Sequence, residues 1–217
     1  MAQLAVQPGR FITVEGSEGA GKSTNISVLC AALDAEGIDY YCTREPGGTA
    51  FAEEIRELLL KPREERFDNL TELLLIFAAR RQHVVNVIQP RITTGQWVVC
   101  DRFTDATYAY QGSGRGLPLE WIDTLRLWVQ GSLEPDITLY LDLAPEVGAA
   151  RIADRELDRL EREQRAFFEA VRQGYLELAS RNSRIRIIDA SQNLTDVGRQ
   201  VRTAIEEFLK SLSSEGQ

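Results

Sequence analysis

The chain is poor in the residues from which many catalytic and metal centres are built. Its 217 residues include a single histidine, His83. A histidine-based triad elsewhere is therefore excluded, and His83 itself reads as a helix-surface or core side chain. The three cysteines, Cys30, Cys42 and Cys100, stand singly inside apolar stretches. Without C-x-x-C or cysteine/histidine spacing they read as buried thiols of a reducing compartment, neither disulfides nor a zinc site. No apolar run approaches the roughly 18 residues of a membrane span. The opening MAQLAVQPGR lacks the basic and apolar segments of a signal peptide. Internal repeats, low-complexity tracts and linkers are absent as well. An excess of positive charge is also missing: the net charge of −8 argues against wrapping nucleic acid, which needs a basic face. It leaves room for a local basic pocket. These absences predict a cytoplasmic protein with no membrane or nucleic-acid partner. They also predict a single domain over 1–217, long enough to bury a full core.

What is present is an alternation. RFITVE (10–15), IDYYCT (38–43), QWVVCD (96–101), DITLYLDL (136–143) and RIRIID (184–189) are short apolar runs that suit buried strands. Helical patterns lie between and after them at 22–36, 51–60, 69–90, 118–131, 145–154, 160–180 and 194–212. Strands alternating with helices predict an α/β layer fold with a mostly parallel sheet of five strands. Ligands in such folds gather at the carboxyl ends of the strands. Three strands end in charged or glycine-rich sequence, at Glu15-Gly16, Thr43-Arg44-Glu45 and Asp101-Arg102, and those ends are expected to face one cleft.

The stretch Gly16-Ser17-Glu18-Gly19-Ala20-Gly21-Lys22-Ser23-Thr24 matches the Walker A pattern, follows a strand and opens a helix. Glycines let successive N–H groups turn inward on phosphate oxygens, and the helix start adds its positive dipole end. Lys22 is expected on the β- and γ-phosphates and the Ser23 hydroxyl on magnesium. The loop is thus predicted to bind a nucleoside triphosphate. No asparagine is followed by lysine, so the N-K-x-D guanine reader of a GTPase switch is missing. The chain is also short for a mechanical ATPase. A small phosphotransferase with a second substrate site fits.

The loop, TREPGGT (43–49), DRFTDATYAYQG (101–112), PDITLYLDL (135–143) and ELDRLE (156–161) occur in the order seen in bacterial thymidylate kinases, and the chain resembles that family from about 10 to 210. The resemblance implies a P-loop kinase fold with a short arginine-containing lid, about 151–162. It implies transfer of the γ-phosphate of ATP to dTMP, with magnesium, by a homodimer. It places Glu18 against the 3′-hydroxyl of the deoxyribose. Relatives with an acidic residue at that loop position take transition-state charge from lid arginines, for which a planar guanidinium is suited. The lid offers Arg151, Arg155, Arg159 and Arg162. Arg155 is the first candidate for catalysis, Arg159 the second, and Arg151 is expected against the adenine. Read instead as a solvated basic face, these arginines would make surface ion pairs with Glu156, Asp158 and Glu161, each worth less than ~1 kcal/mol.

The resemblance further places Arg44 and Arg102 on the phosphate of dTMP, through charge-assisted hydrogen bonds, and Asp101 near magnesium through water. In LLLIFAARRQHV (73–84), Phe77 shares a helix face with Arg80 or Arg81. The family stacks thymine on a phenylalanine and reads its O4 with an arginine. Phe77 with Arg80 is the expected pair, Arg81 the alternative. Alignment on Gln82 and Pro90 would instead set Ile76 at the aromatic position. Thr107, Tyr110 and Gln111 are expected on base and sugar, with Tyr110 crowding a 2′-hydroxyl. Another nucleoside or nucleotide phosphotransferase, such as one acting on dUMP or thymidine, is the rival among kinases; a catalytically dead nucleotide-binding module is the rival of another class.

Overall fold

The structure, a computed structural model, describes residues 7–65, 67–153 and 156–215. Its centre is one five-stranded sheet: β1 (Phe11–Glu15), β2 (Tyr40–Arg44), β3 (Trp97–Asp101), β4 (Ile137–Asp142) and β5 (Ile185–Asp189), in the order β2-β3-β1-β4-β5. Every pairing is parallel. β1 is buried at all five positions, as a strand covered on both faces must be. All five strands fall within two residues of their predicted bounds, because short apolar runs ending in charge or glycine have few other readings.

Connections are helical: α1 (Lys22–Ala35), α2 (Ala50–Leu60), α3 (Asn69–His83), α4 (Gln89–Thr93), α5 (Thr104–Thr107), α6 (Leu119–Gln130), α7 (Pro145–Arg151), α8 (Arg165–Arg181) and α9 (Leu194–Glu215). Two starts carry their own caps: Thr49 Oγ1 accepts from the Ala52 N–H at 3.2 Å, and Asp68 from the Thr71 N–H at 3.0 Å. One face of the sheet packs on α1 and α9 through Ile12, Val14, Leu29, Leu33, Leu139, Val201 and Ile205. The other face holds Phe11, Val84, Ile88, Val98 and Phe103.

Three expectations shift. The single helix predicted over 69–90 runs on to Thr93, and its hydrogen-bond register widens to a π-helical stretch over Val84–Ile88 just ahead of Pro90. Proline has no N–H to donate back along the helix, so a wider turn there absorbs the missing bond. The predicted 160–180 helix begins only at Arg165 and the 145–154 helix ends at Arg151, which lengthens the connecting lid. DRFTDATYAYQG, to which the sequence reading gave no element, winds into α5 and a second π-helical stretch, Tyr108–Gly114. Its mixed small and aromatic residues show neither strand nor helix period, so no periodicity marks it.

Strand register brings the three charged ends together. Arg44 and Val14 both lie opposite Asp101 across their ladders. The Glu45 N–H donates to the Asp101 carbonyl at 2.9 Å and the Arg102 N–H to the Val14 carbonyl at 3.0 Å. Sheet order reverses around β1, between β3 and β4, and the crevice opens there.

Candidate active site

Between β1 and α1 the chain turns through Gly16, Gly19 and Gly21, at φ of 144°, 76° and 84°. Side chains rarely adopt these values. Gly19 is also fixed by proximity: a Cβ there would lie 2.4 Å from the Gly148 carbonyl oxygen, and one on Gly148 would lie 2.5 Å from that of Glu18. Helix α7 therefore rests on the loop through two glycines. Gly148 carries no local motif, and the sequence reading passed over it. Lys22 Nζ donates to the carbonyls of Gly16 at 3.2 Å and Ser17 at 3.3 Å. Burial, and then the charge of Arg102, lowers its pKa. Ala20 is buried beneath the loop, its N–H donating to the Ser17 carbonyl at 3.3 Å.

Two hollows share a wall. The first is lined by Glu18, Gly19, Gly21, Lys22, Ser23 and Thr24, with Asp101, Arg102 and Arg151 opposite. The second is lined by Ile76, Arg80, Phe103, Thr107, Tyr110 and Gln111. Glu18, Glu45, Arg56 and Arg102 line both. The second hollow also takes in Pro46, Leu60 and Ala106, so its wall is largely apolar with a few convergent polar groups.

The junction is strongly charged. Arg102 Nη2 donates to Glu18 Oε1 at 2.5 Å, and Lys22 Nζ lies 3.7 Å from the same oxygen. Arg102 sits at φ 69°, a left-handed conformation that costs about 1–3 kcal/mol in a non-glycine residue. It is held by its own N–H and by Phe103, whose N–H donates to buried Glu15 at 2.7 Å. Arg102 Nη1 is buried without a partner among the described residues, as is Asp101 Oδ1. Asp101 and Ser23 face the first hollow together. One carboxylate and one hydroxyl are hard donors that suit a small cation completing its shell with water and phosphate. No group of three histidine, cysteine, aspartate or glutamate side chains gathers around a metal position among the described residues. The protein would therefore supply only part of such a shell.

Arg44 is not brought to this junction. Its guanidinium is exposed and paired with Glu53 Oε2 at 2.9 Å, and it lines a separate surface hollow. Beside Arg102, the arginine that lines both hollows is Arg56 of α2, whose Nη1 donates to the Pro46 carbonyl at 2.9 Å. Sequence reasoning missed it: a lone arginine in AFAEEIRELLL looks like helix-surface charge.

In the second hollow Arg80 is 2 % exposed. Its Nε donates to Glu45 Oε2 at 2.6 Å, and its Nη2 to Thr107 Oγ1 at 2.9 Å and to the Phe103 carbonyl at 3.1 Å. Nη1 has no partner among the described residues. Burial alone would raise the pKa of Glu45, but Arg80 and His83 more than offset this and hold it below the usual carboxylate value. His83 is fully buried and bridges Glu45 Oε1, at 3.0 Å, and Thr43 Oγ1, at 2.7 Å. It is a core residue. Arg81 points the other way and donates to the Val129 carbonyl. Phe77 lies in the core against Leu73 and Ile122, with the Arg80 guanidinium 4.8 Å from its ring centre. Ile76, four residues before Arg80, holds the wall position that the sequence reading gave to Phe77, since one turn of helix separates positions that share a face. Tyr110 has a buried hydroxyl without a partner among the described residues, and the Arg102 guanidinium lies 5.0 Å from its ring centre. Gln111 Nε2 donates to Glu72 Oε1 at 2.8 Å. Phe168 of α8, which sequence reasoning did not single out, closes the hollow from above.

Of the lid arginines, Arg151 lies against the loop, donating to the carbonyls of Gly19 and Ala190 at 3.1 Å each. Arg155 lies outside the described residues. Arg159 is not brought to the phosphate loop: it donates to Glu72 Oε2 and to the Leu59 carbonyl, both at 2.6 Å. Glu72 is 1 % exposed and also receives Arg115 at 3.2 Å, whose other Nη donates to Glu163 at 2.6 Å. Arg159 directly, and Glu163 through Arg115, therefore tie this segment to one buried carboxylate. Asp158, Leu160 and Glu161 of that segment roof the second hollow.

Known proteins are similar to the chain over most of its length. A family model described as Thymidylate kinase matches residues 14–201. The chain is 58% identical over 195 residues to a thymidylate kinase of Pseudomonas putida (strain GB-1), covering 89% of this chain and 93% of that one. It is 56% identical over 204 residues to that of Pseudomonas entomophila, covering 93% and 97%. It is 54% identical over 203 residues to that of Teredinibacter turnerae, covering 93% and 99%.

Proposed function

The chain belongs to the thymidylate kinase family, and from that premise we infer that it moves the γ-phosphoryl group of ATP to dTMP, giving dTDP and ADP, in dTTP biosynthesis. One observation carries the reading: a phosphate-loop hollow and a second hollow lined by Arg80, Thr107, Tyr110 and Gln111 meet at Arg102 and Arg56, an arrangement that suits in-line transfer between a donor and an acceptor phosphate.

The roles follow from charge and reach. ATP phosphates lie on the loop N–H groups of 16–24, with Lys22 leaving the Gly16 and Ser17 carbonyls for the β- and γ-oxygens. Arg151 borders the adenine side. Arg102 and Arg56 grip the dTMP phosphate by charge-assisted hydrogen bonds, while Arg44 stays in an outer position able to reinforce them. Glu18 draws Arg102 into place and accepts from the 3′-hydroxyl. Arg80 Nη1 donates to thymine O4, backed by Phe77; Thr107 and Gln111 border the base, and Tyr110 leaves no space for a 2′-hydroxyl. Arg155 brings its guanidinium to the transferring group, which the acidic loop cannot stabilise itself; Arg159 holds the lid from which it acts. Ser23 and Asp101 would hold magnesium, which would supply positive charge to offset that of the phosphates.

The chain acts as one domain in the cytoplasm, and its three cysteines are free thiols in this structure. No helix among the described residues is long and apolar enough to cross a membrane. It pairs as a homodimer through α2, α3 and α6, where Leu58, Leu74, Trp121, Leu127 and Trp128 are exposed; apolar area on this scale marks an interaction face.

The test is a coupled ADP-release assay over a panel of nucleoside monophosphates with ATP and magnesium. The reading requires dTMP to be preferred, with its ribo analogue and dCMP far slower. A preference for another monophosphate, or equal rates for dTMP and its ribo analogue, overturns it.

A further inference from the structure

Cys30 and Cys42 are separated by eleven residues yet brought into contact by the fold. Cys30 lies on α1, two turns beyond Lys22, and Cys42 in the middle of β2, an edge strand of the sheet. Their sulfurs are 3.3 Å apart and share a hydrogen bond. Expected from sequence to be buried, Cys30 is only half-buried and Cys42 is exposed. Neither takes part in the phosphoryl-transfer site. We propose that Cys30 and Cys42 form a modification site, a dithiol that hydrogen peroxide converts to a reversible intramolecular disulfide linking the phosphate-loop helix to β2.

The geometry sets the roles. Bond formation requires the sulfurs to close by about 1.3 Å, to the ~2.05 Å of a disulfide, and an edge strand is paired on one side only, so it can yield. The hydrogen bond from Cys42 lowers the pKa of Cys30 to about 7, against the opposing effect of its partial burial. Cys30 is then the thiolate, and a thiolate is the nucleophile. The Cys30 sulfur attacks one peroxide oxygen: an S–O bond forms, the O–O bond breaks, and the departing hydroxide takes a proton to become water. Cys30 is now a sulfenic acid, two electrons more oxidised. The Cys42 sulfur attacks it, forming the S–S bond and breaking S–O; the leaving hydroxide takes the Cys42 proton as a second water. Two thiols and one peroxide thus give one disulfide and two waters. Cys100 serves as the internal control: it is fully buried, its Sγ donates to the Arg102 carbonyl at 3.0 Å, and burial pushes its pKa well up.

The experiment treats the reduced full chain with excess hydrogen peroxide and counts free thiols after denaturation. The proposal expects a fall from three thiols to one, an intact mass lower by two hydrogens, and a peptide map joining Cys30 to Cys42. Dithiothreitol should restore all three thiols. In Cys42→Ser, dimedone should label Cys30, because the resolving sulfur is gone. In Cys30→Ser, thiol loss should slow by ~10-fold or more, since the activated thiolate is missing. Three surviving thiols, a disulfide between chains, or earlier loss of Cys100 would each overturn the proposal. Phosphoryl transfer need not change in any of these variants, so failure here is separate from failure of the kinase assignment.

Discussion

Arg80→Lys isolates the hydrogen bond proposed between Arg80 and thymine O4. The Arg80 guanidinium spends three N–H contacts on Glu45, Thr107 and the Phe103 carbonyl, and leaves Nη1 buried with no partner among the described residues. A lysine keeps a positive charge beside Glu45, so the buried carboxylate is not stranded, a loss that would cost ~3–5 kcal/mol. What lysine cannot do is reach Glu45 and the base at once, because an ammonium is a point donor and a guanidinium a fork. The missing bond joins a charged donor to a carbonyl, worth roughly 1.5–3 kcal/mol. At about 1.4 kcal/mol per decade, kcat/KM for dTMP should fall by about 10- to 150-fold, with KM for ATP unchanged. Discrimination against dCMP should shrink with it, since cytosine presents an amine where thymine presents an acceptor, and Arg80 can serve only the acceptor. The assay is the coupled ADP-release measurement on both nucleotides, with thermal unfolding as the control for folding. A folded Arg80→Lys enzyme whose kcat/KM for dTMP changes less than about threefold, or whose preference over dCMP is intact, would refute the base-reading role.

Four further outcomes are expected. Lys22→Ala should lower turnover by orders of magnitude with circular dichroism unchanged, because charge stabilisation is most of this chemistry; near-normal turnover would remove the phosphate-loop assignment. Glu18→Gln should weaken dTMP binding but barely affect a 3′-deoxy analogue, and titration calorimetry showing equal losses for both would end the sugar role. Arg155→Ala should lower kcat and kcat/KM together at nearly constant dTMP affinity, whereas Arg159→Ala should act through the lid anchor and cost ~1–3 kcal/mol of stability; the reverse pattern moves the catalytic charge to Arg159. Burial, then the charge of Asp105, pushes Glu15 from 4.5 up to about 8: the folded state holds a proton there that the unfolded chain has lost. Its contribution to stability is complete below about pH 4.5 and is lost as pH rises toward 8, at up to ~1.4 kcal/mol per pH unit; denaturant unfolding of Glu15→Gln over that window should lack this slope relative to the parent chain.

Strands were legible because each is a short apolar run closed by charge or glycine, and the phosphate loop because its spacing is tied to strand and helix on either side. Both are local facts. The π-helical stretch before Pro90 is local too, but sequence period cannot register a single widened turn. DRFTDATYAYQG received no element from the sequence for a different reason. Its helix is shaped by what packs on it: Gly174 of α8 faces Ser113, and a Cβ there would meet the Ser113 Oγ at 2.4 Å. Nothing within the segment announces that contact.

Site residues divide along the same line. Arg102 and Asp101 could be named because strand ends converge at the switch point of a parallel sheet. Arg56 could not, since whether an arginine on α2 faces solvent or cleft depends on how α2 is rotated against α3, a matter of Ala52, Ile55, Leu59 and Ala79 packing together. Ile76 and Phe77 show how narrow the margin is: adjacent on one helix, they differ by about 100° of rotation, and one lines the hollow while the other fills the core. The lid is the hardest case. Arg159 follows LD in sequence and sits in a run of charge, yet its partner is Glu72, 87 positions away. Burial would raise the pKa of Glu72, and Arg115, Gln111 and Arg159 hold it below the usual value. Gln111 lines the second hollow while Arg159 and Arg115 tie down the lid, so this one carboxylate joins the pocket wall to its cover. Removing Arg159 therefore disturbs a link between wall and lid, and that is why its loss should register in stability before it registers in chemistry.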